Sequence, residues 1–370
     1  MQLPILGQQP TDEQPDAYGF ARVPESIERV SYGRFRNVYL YITDKCQLRC
    51  GHCYMGDRLE VGRVMPFSDV VRNMTVWRKM GGSKLSILGG EPTLHPAFVE
   101  IVRVANALGY EKVILNTNGL LTAKKRLRRV TPKDFAYVQV SLDGASPATH
   151  DVIRGKGTFD QAWATTTDLC QRGFDTRIIC TVNRVNMEEC LKLLPMAEQA
   201  GVGLVKYHVF SGIGLGTAND KWLVSPLEWV SFYEQLEHLR DRYKPQIWYQ
   251  PTYARRERVE QFAQEGFRGC VGRTLDRISI FPDGRAYVCS YLFDTTLNFA
   301  SMVDGRIVLN KAENEFDLFT STLSDHSCGN CKVERICLGG CPAEHIVMGG
   351  SSCAAQPEIV PVCRLWKSDL

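Results

Sequence analysis

The sequence predicts an α/β fold, a partial (β/α)6 TIM-like barrel followed by a cysteine-rich C-terminal domain. Six short β-rich runs alternate with longer helical patterns between residues 37 and 210. Such an alternation is typical of parallel strands joined by right-handed crossovers, and six repeats are too few to close an eight-stranded barrel. After residue 210 the alternation stops, and eight of the fourteen cysteines lie from residue 270 onwards.

Composition limits the classes of protein that fit this chain of 370 residues. A net charge of +3 gives no case for nucleic acid or an anionic membrane as a partner. No apolar run approaches the ~20 residues that span a bilayer. Residues 1–36 are polar and rich in proline and lack the pattern of a signal peptide, so we expect a cytoplasmic protein. Cysteines in that compartment indicate metal ligation rather than disulfides.

Four segments are expected: an N-terminal arm (1–36), the barrel (37–210), bridging helices (211–269) and the cysteine-rich domain (270–370). The candidate strands of the barrel are Val38–Ile42, Lys84–Leu88, Lys112–Leu115, Tyr137–Ser141, Thr176–Val182 and Leu204–Val209. The candidate helices between them are Phe67–Met80, Ala97–Leu108, Thr122–Arg129, Phe159–Arg172 and Met187–Ala200.

The bridging segment begins with a glycine-rich stretch, 211–216, whose spacing does not fit a dinucleotide-binding fingerprint. It is interpreted as a flexible loop over the barrel mouth, with a backbone contact to cofactor or substrate as the alternative. Two amphipathic stretches follow, Pro226–Arg242 and Tyr253–Gln264, and both are predicted to be helices.

A cysteine-rich loop follows the first candidate strand, with the spacing Cys46-x3-Cys50-x2-Cys53. A loop at the end of a parallel strand presents its side chains at the edge where α/β folds place their chemistry. Three thiolates can ligate three irons of a 4Fe–4S cluster and leave the fourth open, whereas clusters that only carry electrons usually have four cysteines. A zinc site and a redox pair are the alternatives, although zinc usually takes paired C-x2-C ligands.

Polar turns follow three further strands. Gly89-Gly90-Glu91-Pro92 combines two residues that allow a close backbone approach with a carboxylate that can accept hydrogen bonds from an ammonium group. The other turns are 116–119 and 141–144, and 150–155 lies shortly after the second of them. Taken alone, all of these are also compatible with ordinary turns or helix caps.

The cysteine triplet with Tyr54 directly after it, together with the Gly-Gly-Glu-Pro turn, resembles the signature of the radical S-adenosylmethionine (SAM) enzymes. The resemblance implies a partial barrel and a 4Fe–4S cluster whose open iron is chelated by SAM. It also implies a 5′-deoxyadenosyl radical that removes a hydrogen atom from the substrate, and an electron donor such as flavodoxin or ferredoxin. The cofactor-binding residues that it implies are Tyr54, Gly89, Gly90, Glu91, Asn116, Ser141, Asp143, Arg154 and Asn183.

A second cysteine array occupies the C-terminal region. Cys270 precedes a predicted hairpin, Ile278–Phe281 and Arg285–Val288, which Cys289 closes. The rest of the array is Cys328-x2-Cys331-x5-Cys337-x3-Cys341, then Cys353 and Cys363. Two tetrathiolate sites account for the number of thiols, and two zinc ribbons are the alternative.

The array resembles the SPASM domain of radical SAM enzymes, which implies two auxiliary 4Fe–4S clusters and three clusters in all. By this resemblance the first would take Cys270, Cys289 and Cys341, with an open iron or Cys353 as its fourth ligand. The second would take Cys328, Cys331, Cys337 and a late cysteine, with Cys363 favoured over Cys353.

Three clusters favour a net redox change, so dehydrogenation is expected. Epimerisation is the alternative, in which a protein group returns a hydrogen atom from the opposite face. Cys180 lies mid-strand; facing inward it would return a hydrogen atom to a substrate radical, and facing outward it would be core packing. Only 36 residues precede the barrel, and this favours a small polar substrate of the sugar or aminocyclitol type. A maturase of ribosomally made peptides (crosslink, thioether or residue oxidation) and a zinc-ribbon binding protein are the alternatives.

Overall fold

The six predicted runs are all strands of one parallel sheet. The computed structural model of the protein describes residues 35–264, 267–268, 272, 275–303, 306–310, 340–341, 343, 358–362 and 366–367. The barrel strands are β1 (Asn37–Tyr41), β2 (Lys84–Leu88), β3 (Lys112–Thr117), β4 (Tyr137–Ser141), β5 (Thr176–Val182) and β6 (Leu204–Val209). The partial TIM-like barrel is therefore confirmed.

Helices cover the outer face of these strands. In chain order they are α1 (Arg58–Val61), α2 (Phe67–Lys79), α3 (Phe98–Ala107), α4 (Leu121–Leu127), α5 (Pro147–Arg154), α6 (Thr158–Gln171), α7 (Leu193–Ala200), α8 (Pro226–Leu239) and α9 (Val259–Gln264). A capping box fixes the start of α8, where Ser225 and Glu228 bond each other's backbone N–H. None of the helices in the described ranges has both the length and the apolar composition that a bilayer crossing demands.

The parallel sheet continues past the six predicted strands at both edges. β7 (Gln246–Tyr249) pairs in parallel with β6, and it lies in the segment expected to hold bridging helices. The sequence does not predict this strand, because four residues are too few to show the period of a strand. At the other edge, β10 (Arg277–Ile280) pairs in parallel with β1.

The predicted helix over Tyr253–Gln264 is correct only in its second half. Its first residues form β8 (Tyr253–Arg255), which pairs antiparallel with β14 (Ile359–Pro361), and only Val259–Gln264 is α-helical. A pairing partner about a hundred residues away decides the conformation here, and local sequence cannot reveal it. The other short pair is β9 (Phe267–Arg268) with β15 (Trp366–Lys367).

The predicted hairpin extends the barrel sheet. β10 and β11 (Arg285–Tyr287) are antiparallel, and Gly284 in the turn has φ +83°. β12 (Ala300–Val303) and β13 (Arg306–Leu309) follow, so the sheet order is β13-β12-β11-β10-β1-β2-β3-β4-β5-β6-β7. The C-terminal region thus shares its backbone hydrogen bonds with the first barrel strand.

Alternation along each strand separates the helix-packed core from the barrel interior. On β1, Val38 and Leu40 are fully buried under the helices, whereas Tyr39 and Tyr41 line an internal cavity. β6 follows the same rule, with Tyr207 buried and Lys206 and His208 facing the cavity. The sheet therefore has an apolar outer face and a polar and aromatic inner face.

Candidate functional site

A cavity of about 350 Å³ lies inside the barrel, at the carboxyl ends of the strands. Cys46, Cys50 and Cys53 line it together, so the three thiols predicted to hold a cluster share one wall. Residues of β1 to β7 and β10 and the loops after them complete the wall, as expected for a (β/α) site.

Cys50 is buried and the other two cysteines of the loop are half-buried, and the loss of solvent around the three thiols sets their acidity. It raises the pKa of Cys46 to about 11 and that of Cys50 to about 12, and the pKa of Cys53 is also raised. Thiolates in this loop therefore require added positive charge, which bound metal supplies. Polar groups already approach the sulfurs, since Leu48 N lies 3.4 Å from Cys46 Sγ and Arg154 Nη1 lies 4.0 Å from Cys50 Sγ.

The donor set fits a cluster better than a single ion. Within the described residues, no three His, Cys, Asp or Glu side chains converge closely enough to hold one metal ion. The three thiols share a cavity without forming such a site, which is the arrangement needed when each thiolate takes its own iron.

The Gly-Gly pair permits a close approach, but the group that approaches is the cysteine loop itself. A Cβ on Gly89 would lie 2.5 Å from Thr43 O, and one on Gly90 would lie 2.5 Å from Lys45 O. Gly90 N donates to Thr43 O, and Glu91 N donates to Lys45 O. Both glycines also line the cavity. They therefore contact the cysteine loop and also form part of the edge that is predicted to bind a ligand.

Glu91 is fully buried behind the cavity wall and does not line it. Its carboxylate accepts hydrogen bonds from Thr93 N and Oγ1, from Thr117 Oγ1 and from Asn118 N. Burial raises the pKa of Glu91, and these hydrogen bonds oppose the rise. In this geometry Glu91 ties the ends of β2 and β3 together, and its predicted contact with the amino group of SAM stays a prediction.

Asp143 anchors a buried ion cluster beside the thiols. Its Oδ2 lies 2.6 Å from His52 Nε2 and accepts from Arg154 Nε at 2.5 Å, while its Oδ1 accepts from Thr181 N at 2.7 Å. Burial alone would raise its pKa, but the charges of Arg154 and His52 outweigh burial and hold that pKa well below its usual value. Asp143 thus fixes Arg154, which lines the cavity, against Cys50.

The remaining predicted residues divide into two groups. Tyr54, Asn116 and Ser141 line the cavity, and Tyr54 Oη lies 2.6 Å from Tyr41 Oη. Asn183 does not line it, because its side chain bonds Thr181 O and Val185 N within its own turn. The side chain of Asn183 therefore does not face the cavity, and its predicted contact with the ribose has no support in this geometry.

Of the two faces that the sequence leaves open for Cys180, the structure favours the outward one, so the predicted role of hydrogen donor lacks a side chain that faces the cavity. Ile179 and Thr181 line the cavity, so strand alternation turns Cys180 to the opposite face. There it is fully buried, and Asn186 Nδ2 lies 3.8 Å from its sulfur. It is a core residue.

The glycine-rich stretch after β6 packs on the cysteine loop. Gly214 has φ +60°, and a Cβ there would lie 2.4 Å from Tyr54 O. Leu215 N donates to Cys53 O at 2.9 Å, and a 3-10 helix runs over Gly214–Trp222. The glycine serves this contact, which is with protein backbone rather than with a ligand.

Sequence reasoning missed several polar and aromatic residues of the cavity wall. They are Lys206, His208, Trp248, Gln250 and Arg277. A signal is present in β6, where a lysine and a histidine alternate with apolar residues on a strand predicted to be covered by helices.

Two cysteines of the second array reach the same cavity. Cys289 and Cys341 are buried, and both line it. Cys270, Cys328, Cys331, Cys337, Cys353 and Cys363 lie outside the described residues, as does most of the N-terminal arm. The ligation of auxiliary clusters therefore stays a prediction.

Comparison with known proteins agrees with this geometry. Residues 40–196 match the family model of the Radical SAM superfamily, and the match covers most of the strands and loops that build the cavity. That family implies one 4Fe–4S cluster and S-adenosylmethionine, which the three thiols fit.

The similarity to several known proteins covers most of the chain. It is 28% identical over 340 residues to the AdoMet-dependent heme synthase of Methanosarcina barkeri, covering 85% of this chain and 93% of that protein. It is also 28% identical over 363 residues to the mycofactocin maturase MftC of Mycobacterium tuberculosis, covering 91% and 86%. The structure of Streptococcus suis SuiB bound to precursor peptide SuiA has the same fold, with a TM-score of 0.67, 17% identity and coverage of 89% and 76%.

Proposed function

We propose that this chain is a radical SAM enzyme that oxidises or otherwise modifies a ribosomally made peptide. The observation that carries the proposal is the convergence of Cys46, Cys50 and Cys53 with the Gly89-Gly90 edge and Arg154 on one cavity inside the barrel. The bound cluster and SAM would supply a 5′-deoxyadenosyl radical that removes a hydrogen atom from the substrate.

The chain's own residues would hold and orient these groups. Cys46, Cys50 and Cys53 would be the ligands, and the glycine edge would lie against SAM. Arg154, which Asp143 holds in place, is a candidate partner for the methionyl carboxylate of SAM. Cys289 and Cys341, which line the same cavity, would belong to an auxiliary cluster, and such a cluster would supply one-electron redox chemistry there.

Support for a peptide substrate comes from two of the relatives. One is named a maturase, and the SuiB structure contains a precursor peptide. None of the three relatives described above is named for a sugar, so the sugar or aminocyclitol substrate stays an unsupported prediction. A tetrapyrrole substrate is the second candidate, because the similarity to the heme synthase covers 93% of that protein.

Anaerobic reconstitution tests the cofactor. The wild-type chain should be brown, contain acid-labile sulfide and cleave SAM when reduced. The Cys50→Ala variant should lose about four irons, as one cluster requires, and all SAM cleavage. Cys170→Ala is the matched control, because Cys170 lies on α6 and does not line the cavity. A colourless chain that holds zinc and no sulfide would contradict the proposal.

Mass spectrometry tests the substrate. Peptides encoded beside the gene and a panel of iron-free porphyrins are incubated with reduced enzyme and SAM. A mass change in a peptide alone supports the maturase, and a change in a porphyrin alone supports the second candidate.

A further inference from the structure

Lys206 is a cationic side chain inside the barrel. It lies on β6, and in the sheet register its neighbours are Ile179 on β5 and Trp248 on β7. The residue is half-buried and lines the cavity, and its Nζ lies 4.2 Å from the centre of the Trp248 ring. The indole holds the ammonium group in place by a cation–π contact.

No carboxylate balances this charge within the part of the chain that the structure describes. The Trp248 ring is the contact of its ammonium group there, and the described wall of the cavity contains no Asp or Glu. Arg154 on the same wall is neutralised by Asp143, whereas Lys206 is not paired in this way. Burial, assisted by the charge of Arg177, lowers the pKa of Lys206 to about 8, so the group is still mostly protonated at pH 7.

SAM is a poor candidate for the missing anion. The groups expected to bind SAM that also line the cavity lie on or after β1 to β4, and Lys206 lies two strands beyond β4 in the sheet. It also lies deeper than the strand ends, because His208 stands two residues closer to the carboxyl end of β6 on the same face. The ammonium group therefore faces the part of the cavity left for substrate.

We propose that Lys206, held by Trp248, binds a carboxylate of the substrate and so fixes its position beneath SAM. The inference rests on the proposed function, since it assigns part of the same cavity to substrate recognition. It restricts the substrate to molecules that present an anionic group, either a chain-terminal carboxylate or an acidic side chain.

Binding of small probes to the SAM-loaded holoenzyme tests this inference without turnover. One pair is N-acetylglycylglycine and its amide, which represents a chain terminus. The other pair is N-acetylglutamic acid α-amide and N-acetylglutamine amide, which represents a side chain. Dissociation constants are measured at pH 7 for wild type, Lys206→Met and Lys206→Arg, with Lys133→Met, an exposed lysine before β4, as the control.

We expect one acid to bind wild type and Lys133→Met at least 10-fold more tightly than its matched amide. Lys206→Met should lose this preference and bind the amides unchanged, and Lys206→Arg should keep most of it. The pair that shows the preference identifies the source of the carboxylate.

Wild type that shows no preference for an acid, or that binds none of the probes, would overturn the inference. The same preference in Lys206→Met, or a parallel loss of SAM affinity in that variant, would also overturn it. The last would assign Lys206 to SAM instead. A failure of the proposed function is separate, because it appears as missing iron or missing SAM cleavage in the wild-type chain.

Discussion

Single residues of this cavity carry charge at a cost in stability. Lys206 is half-buried on the inner face of β6, and its lowered pKa means that burial disfavours the charged form in the folded state. Asp143 and Arg154 avoid a similar cost by pairing with each other. An unpaired cation is expected where a ligand, rather than the fold, provides the counter-charge.

The Lys206→Met variant should therefore be more stable than wild type at pH 7, by about 1 kcal/mol after allowance for partial exposure. Between the folded pKa of about 8 and the unfolded value of about 10.4, the unfolded state binds the additional proton, so the stability of wild type rises with pH. The difference in the free energy of unfolding between Lys206→Met and wild type should therefore become smaller across that range. Denaturant unfolding at pH 7 and pH 10 measures this difference.

Lys133→Met, which replaces an exposed lysine, should show neither effect. A Lys206→Met protein that is less stable than wild type at pH 7 would mean that the contact with Trp248 outweighs the burial of the charge.

At the scale of elements, the cysteine loop depends on its neighbours for its shape. The turn after β2 approaches it through Gly89 and Gly90, and the 3-10 helix after β6 approaches it through Gly214. Backbone hydrogen bonds from Gly90, Glu91 and Leu215 to the loop accompany these contacts. The loop is thus fitted between two elements of the protein.

A Gly90→Ala substitution should displace this loop. The added Cβ would lie 2.5 to 2.6 Å from Lys45 O and Asp44 O, and backbone atoms cannot move away as a flexible side chain can. We expect a loss of about 2–4 kcal/mol in the free energy of unfolding, together with reduced iron uptake. Thermal unfolding and iron analysis after anaerobic reconstitution check both.

Gly203→Ala is the control, because the nearest atom to its Cβ would be a side-chain oxygen of Asp175 at 3.3 Å. Normal iron content in Gly90→Ala would show that the loop tolerates the shift.

The sequence predicts the elements whose patterns are long and local. The strands from β2 to β6 and the helices that cover them stand out because periodicity over several residues determines them. β7 and β8 were missed because each has four residues or fewer and depends on a distant partner. The two possible faces of Cys180 could not be distinguished from sequence, since alternation gives the period of a strand but not which set of residues faces inward.

The sequence predicts those parts of the candidate site in which residue type and spacing specify the chemistry. The three thiols of the cysteine loop, Cys46, Cys50 and Cys53, are such a part. Lys206 and Trp248 are not, because they meet only when β6 and β7 pair in register. Glu91 shows a third case, in which a motif residue was identified but its hydrogen-bond partners on β3 were not.

At the scale of the whole molecule, the C-terminal region is part of the barrel sheet. β10 pairs with β1 along four residues, and Asp276 forms an ion pair with Arg36 at 2.6 Å. Beside this pairing, Phe281 stacks on Tyr41 with the ring centres 4.2 Å apart. The cysteine loop, which follows β1, and Cys289, which follows β11, are therefore held by one continuous sheet.

A buried arginine strengthens the same connection. Arg58 on α1 is 2% exposed and pairs with Asp283 at 2.6 Å and with Asp294 at 2.7 Å. Its Cζ also lies 4.8 Å from the ring centre of Phe281 and 5.1 Å from that of Phe293. Because α1 directly follows the cysteine loop, this contact joins the loop to the hairpin turn that precedes Cys289.

Deletion of residues 270–370 should therefore prevent the barrel from folding, rather than release a stable domain. The deletion removes Ile278, Ile280 and Phe281, which are almost fully buried and contribute about 2 kcal/mol each, or about 6 kcal/mol of a total stability of roughly 5–15 kcal/mol. It also exposes the hydrogen-bonding edge of β1, which favours aggregation. Soluble yield and the cooperativity of thermal unfolding measure the outcome.

The full-length Cys289→Ala variant loses a thiol and keeps the strands, so it should stay folded. A soluble deletion variant that unfolds cooperatively would show that the barrel is independent of β10 and that the two cysteine arrays belong to separate folding units.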